Sequence, residues 1–187
     1  MPYGSTVVAD PGVGVDPDAT AIRVAADAAT IREAARRRLG IADLMVVRVG
    51  AERFAIGLAA VEEVVDLPAL RPLPHMPAGM RGVHELRGAL LGVYAGGRPL
   101  GVAGADPRAD PLVGLVARVS ASGRRVVVAV DEVEGVLEID FAELCDAPAG
   151  ADAMVLGVST RGPALVAVLD AEQWVAGCTS DRTMEAA

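Results

Sequence analysis

The chain has no lysine: all 17 of its basic residues are arginines. That absence removes a phosphate-loop lysine, a Schiff-base lysine and the strand lysine of protein kinases together. Histidine is scarce too, with His75 and His84 alone, nine apart across a proline-rich stretch. The string His84-Glu85 suggests a zinc helix, but the second histidine such a helix needs four residues on is Gly88. The two cysteines, Cys145 and Cys178, lack metal-ligand spacing and are too few for a disulfide framework. Cys145 falls in a loop near Pro148 and Cys178 in a segment expected to be loose, so neither is placed to partner a histidine as a nucleophile. Aromatic residues make up 3% and the net charge is −8, a poor composition for nucleic acid or an anionic membrane surface. No uninterrupted apolar run approaches the ~18 residues of a membrane span. The first ten residues lack the pattern of a secretory signal. These absences lead to the expectation of a cytoplasmic chain without membrane insertion, metal, cofactor or catalytic machinery.

What is present is apolar and strand-like. The 187 residues are 52% hydrophobic with a mean hydropathy of +0.41, enough for one domain or two small subdomains. Residues 1–40 balance five acids with five arginines, so the negative excess lies in 41–187. Residues 1–18 are expected to be a flexible tail. Residues 19–40 are expected to hold a helix. Thr30-Ile31-Arg32-Glu33 fits a capping box, Ile31, Ala35 and Leu39 share a face, and Gly40 stops it. Its apolar face could lie on the body of the same chain or on a partner.

From Leu44 the pattern changes. Leu44–Val49 and Arg53–Leu58 predict a hairpin, followed by strand pairs at 81–86 with 89–94, Leu112–Ser120 with Arg124–Val130, and Met154–Ser159 with Ala164–Leu169. Val133–Ile139 predicts another strand, interrupted by Gly135. Ala60–Val65 reads equally as a helical turn or a strand. Prolines 72, 74 and 77 demand an extended connector. A short helix from Asp170 to Val175 is predicted, capped by Asp170 and burying Trp174. A tail is expected from 177 to 187. Nine or ten short strands broken at the long loop 95–111 predict two small all-β barrels.

Two charges stand out. Glu63 in Val61-Glu62-Glu63-Val64 and Arg87 in Glu85-Leu86-Arg87-Gly88 each sit in an apolar strand pattern and suit an ion pair across a barrel. Such a pair either holds the barrel together or takes part in docking. Val61, Val64, Val83 and Val136 read first as core, although some of these valines must supply any apolar docking surface. Gly82, Gly88 and Gly135 read as backbone demands at turns or close approaches. The acids of Asp131-Glu132-Val133-Glu134 read as a solvated strand edge.

In order and spacing, the 47–58 hairpin, Val61-Glu62-Glu63-Val64, the proline connector, Gly82-Val83-x-x-Leu86-Arg87-Gly88, Val130-Asp131-Glu132-Val133-x-Gly135-Val136 and Leu156-Gly157-Val158 before Leu165–Asp170 resemble the CheW family. The resemblance runs from about 44 to 175, and a CheW-like domain is expected over 41–176. It implies an all-β fold of two SH3-like five-stranded barrels, here with an N-terminal helix and a short C-terminal helix. It also implies no catalytic activity. The implied partners are the regulatory domain of a CheA-type histidine kinase and the cytoplasmic tip of chemoreceptors. Val61, Glu63, Val64, Val83, Glu85, Arg87, Gly88 and Gly135 are the implied partner-binding residues. Two departures stand against it. Glu85 replaces the family's corner asparagine, and Ala95-Gly96-Gly97-Arg98-Pro99 replaces a helix start with residues that oppose a helix. The fold in another signalling assembly therefore remains an alternative, with an unrecognised enzyme behind it.

Overall fold

A computed structural model describes residues 40–68, 70, 73–77, 79–102, 112–161 and 165–180. The N-terminal tail and the helix expected over 19–40 lie outside these residues. Valine-rich runs, most of them alternating with polar side chains, build ten strands among the described residues. In chain order these are β1 (Ile41–Val49), β2 (Glu52–Gly57), β3 (Val61–Leu67), β4 (Met80–Leu86), β5 (Ala89–Ala95), β6 (Leu112–Arg118), β7 (Arg125–Val130), β8 (Glu132–Asp140), β9 (Val155–Ser159) and β10 (Val166–Leu169). Among the described residues there is one α-helix, α1 (Ala171–Thr179), which follows β10. The ambiguous stretch near Ala60 resolves into both options: a 3-10 turn at Leu58–Ala60, then strand β3.

The strands form two five-stranded sheets. The first has the order β8-β1-β2-β10-β9 and the second β3-β6-β7-β5-β4. The pairings match one for one: antiparallel, antiparallel, parallel, antiparallel in each. The register slips match as well. A bulge between Val61 and Glu63 on β3 has its counterpart opposite Val46 and Val47, between Val133 and Gly135 of β8. The slip between Met80 and Gly82 has its counterpart between Val155 and Gly157. The two sheets are therefore copies of one plan. The second is contiguous in the chain and inserted between β2 and β8 of the first.

The largest core cluster belongs to both sheets. It joins Met45, Val47, Phe54 and Ile56 of the first to Tyr94, Leu115, Val126 and Val128 of the second, with Trp174 of α1 among them. Each fully buried aliphatic side chain there contributes about 1.5–3 kcal/mol. Trp174 is 1% exposed, and its indole N–H donates to the Gly96 carbonyl at 2.9 Å. Asp170 caps α1 as predicted, accepting from the backbone N–H of Glu172 and Gln173.

The chain does not turn loose at 177: α1 runs to Thr179, and Cys178 is fully buried in the shared core. The apolar spacing of Trp174, Val175 and Cys178 on one helix face accounts for the extra turn. Burial pushes the Cys178 thiol up to about 12, with nearby Arg98 pulling the other way. Its folded value lies above the unfolded one, so its contribution to stability is complete below about pH 9 and is lost as pH rises toward 12. At pH 8 a thiol reagent should modify the exposed Cys145 and spare Cys178 until urea unfolds the chain. Equal rates at both thiols in the native protein would contradict this burial.

Candidate functional site

The Leu86-Arg87-Gly88-Ala89 corner is a two-residue hairpin turn in which both central residues have positive φ, 51° at Arg87 and 81° at Gly88. That is the turn whose twist matches its flanking strands. A side chain at Gly88 would meet nothing within 4 Å, so the demand there is conformational. Arg87 accordingly stands in the turn and not within a strand, 76% exposed, with its Nη2 2.8 Å from Oε1 of Glu63. β3 and β4 are the two edges of the second sheet, so this pair ties one edge to the turn leaving the other. With so exposed an arginine the pair contributes ~1 kcal/mol or less.

The bulge on β3 makes Glu62 the extra residue. Its carboxylate meets Arg118 at 2.7 Å and Arg125 at 2.8 Å. The duplicate position in the first sheet is Glu134, which meets Arg53 at 2.7 Å, while Arg48 meets Glu132 at 2.9 Å. Glu132 and Glu134 are thus paired with arginines, and Asp131 accepts from the Gly50 N–H, where a merely solvated edge was expected. Arg161, after β9, spans the corresponding seam: its Nη1 donates to the Glu138 carbonyl at 3.1 Å and its Nε reaches Glu143 at 3.2 Å. Gly135 stands where Glu63 stands in the copy, with φ of 155°.

The valines are not all core. Val64 is 43% and Val136 57% exposed, at equivalent places on β3 and β8. Val61 is half-buried against the shared core, and Val83 is half-buried on β4. Burial alternates along β3 and β8, and Val64 and Val136 fall on the outward side of that alternation. Glu85 is exposed and lies directly across from Leu90, on the face that also carries Val83. Leu90 is 72% exposed, and its counterpart Leu165 is 68% exposed. Val64 with Leu90, and Val136 with Leu165, are four of the five large exposed hydrophobic residues described, the fifth being Leu73. A cleft of about 620 Å³ runs beside Met80, Val83 and Leu90, with Arg124 and Arg125 at its rim. The sequence pattern gave Leu90, Leu165, Glu62 and Arg125 no role of their own. The signal was there, in the parallel strings Arg87-Gly88-Ala89-Leu90 and Arg161-Gly162-Pro163-Ala164-Leu165.

The stretch 96–101 is a run of tight turns, as its glycines and proline foretold, with Gly97 O accepting from Leu100 and Val102. It packs on α1, where Arg98 Nη1 donates to Ser180 O at 3.0 Å. Among the described residues no group of His, Cys, Asp and Glu could hold a metal ion. No described helix is long and apolar enough to cross a membrane.

Fold and surface together define a duplicated β module: two sheets of one plan, one shared core, and exposed aliphatic residues repeated beside paired charges. The model of the CheW-like domain matches residues 43–177, and the chain belongs to this family. It is similar to the chemotaxis protein CheW of Rhizobium meliloti, with 32% identity over 57% of this chain and 66% of that one. It is also similar to a probable chemotaxis protein CheW of Rhizobium etli, with 35% identity over 54% of this chain and 63% of that one. The chain thus spans slightly under two-thirds of these relatives. The crystal structure of the scaffolding protein TtCheW from Thermoanaerobacter tengcongensis superposes with a TM-score of 0.60 at 19% identity, covering 70% of this chain and 89% of that one.

Proposed function

We propose that the chain is a non-enzymatic adaptor of a cytoplasmic chemosensory complex, coupling chemoreceptors to a CheA-type histidine kinase through protein contacts alone. The observation that carries this reading is the duplication of the surface. Each sheet presents an exposed valine and an exposed leucine beside arginine–carboxylate pairs. Small apolar patches rimmed with charge suit protein recognition. Two of them on one rigid body suit a bridge between partners. Membership of the CheW-like family points the same way. In this reading each sheet closes into an SH3-like barrel, and Val61, Glu63, Val64, Val83, Glu85, Arg87, Gly88 and Gly135 lie on the docking side.

The test is a set of single variants titrated against the regulatory domain of the cognate kinase and against a receptor-tip fragment. Leu90→Glu should weaken one partner at least about tenfold, and Leu165→Glu the other, since a buried unpaired charge costs several kcal/mol at an interface. Arg87→Ala should also impair binding while shifting unfolding by ~1 kcal/mol or less. Full binding of both partners by all three variants would remove the duplicated surface as the docking site, and failure of the unaltered chain to bind either partner would end the adaptor reading. One observation favours a second reading, a scaffold in another signalling assembly: the 96–101 turns stand where a helix start would complete the family surface. Binding to a different kinase, with no receptor binding, would select it.

A further inference from the structure

A second concave surface lies away from the duplicated patches. It is a groove of about 490 Å³ between the 3-10 turn that follows β2, the end of β6 and the first turns of α1. Ala60, Ala117, Leu169 and Val175 give it an apolar floor. Glu62, Asp170 and Glu172 line it, with Arg118 as the one cation among the lining residues. Glu62 is already shared between Arg118 at 2.7 Å and Arg125 at 2.8 Å, so the acidic character left in the groove is that of Asp170 and Glu172. Glu172 is exposed and makes no ion pair among the described residues.

The place where β1 begins decides what can reach it. Leu44 pairs with Gly57, which lines the groove, and the 3-10 turn packs against β1. Arg38 is six residues before Leu44, a span of at most about 20 Å for an extended chain. Residues 36–38 are the only run of three arginines in the sequence. Residues 20–39 hold five arginines against Asp27 and Glu33, whereas 41–187 hold 12 arginines against 20 acids. The expected apolar face, Ile31, Ala35 and Leu39, matches the floor, and the arginines match the rim.

We propose that the segment 20–39 of the same chain seats in this groove, with its arginines against Asp170 and Glu172. The assignment stands independently of the adaptor reading. The chain itself supplies a selective probe. Because it has no lysine, Arg37→Lys introduces a single side-chain amine into the full-length protein. A carbodiimide then joins that amine to whichever carboxylate touches it, and peptide mass mapping identifies the site.

The expected product is an amide within one chain to Asp170 or Glu172, in clear excess over Asp43, which is nearer along the chain. Adding Arg36→Glu and Arg38→Glu should reduce that product about tenfold at low salt, as opposed charge becomes repulsion. Coupling spread over Asp43 and distant acids would overturn the proposal. So would a product of twice the chain mass, which would assign the groove to a second copy. A groove product whose yield ignores the two charge reversals would overturn it as well.

Discussion

Trp174→Ala is expected to lower the unfolding free energy by about 3–5 kcal/mol, the loss typical of removing a large aromatic side chain from a core. The position is severe for a specific reason. Trp174 is 1% exposed and packs in the cluster that both sheets share, so the cavity opens where the two copies meet. It also strips the Gly96 carbonyl of the indole N–H that reaches it at 2.9 Å. Against a total stability of about 5–15 kcal/mol for an ordinary domain, that is a large fraction. Trp174→Phe separates the two contributions. It restores most of the volume and leaves the carbonyl without its donor, so a smaller loss of about 1–3 kcal/mol is expected. Urea unfolding followed by circular dichroism measures both, because the substitution removes the only tryptophan. A loss below about 1 kcal/mol for the alanine variant would show that α1 does not hold the sheets together.

Gly96→Ala is the second large expected effect, and its mechanism is crowding. An added methyl would sit 2.8 Å from the Ala129 carbonyl oxygen and 2.9 Å from Cζ2 of Trp174. The Ala129 oxygen is backbone and already accepts from the Gly96 N–H at 2.9 Å, so it cannot retreat without breaking that bond. A loss of about 1–3 kcal/mol or more follows for overpacking of this kind. Combining it with Trp174→Ala should cost less than the two losses added, since removing the indole vacates one side of the clash. Strict additivity in urea unfolding would show that the two groups do not meet in solution.

These two residues also mark what sequence can and cannot convey. Trp174 was readable: an Asp cap followed by an apolar face announces a buried helix, and only its extent to Thr179 was missed. The strand positions were readable because alternation and turn residues are local signals. The 96–101 turns were foreseen from two glycines and a proline. Their docking on α1 was not, because Gly96 and Trp174 are 78 residues apart. The Glu63–Arg87 pair was found through its residue types, yet its exposure depends on the turn and on a bulge that no local pattern declares. Val64 and Val136 were taken for core on residue type, although alternation with inward Val65 and Leu67, and with Leu137 and Ile139, turns them outward. The repeated plan was written in the chain as Val61-Glu62-Glu63-Val64 and Val133-Glu134-Gly135-Val136, but few identities survive between the copies, and the pairing order reveals them first.

The insertion of one sheet within the other governs the order of assembly during synthesis. All five strands of the second sheet leave the ribosome in one uninterrupted stretch, and their contacts can form as soon as β7 emerges. The hairpin of β1 and β2 is made earlier but must wait, since the other partner of β1, strand β8, follows more than ninety residues later, with Leu137 opposite Leu44. Until then a nascent ribbon rich in valine has an open flank, the condition in which unfinished chains stick to one another. The inner copy is therefore expected to mature first, leaving the outer one to be completed when β8, β9 and β10 emerge.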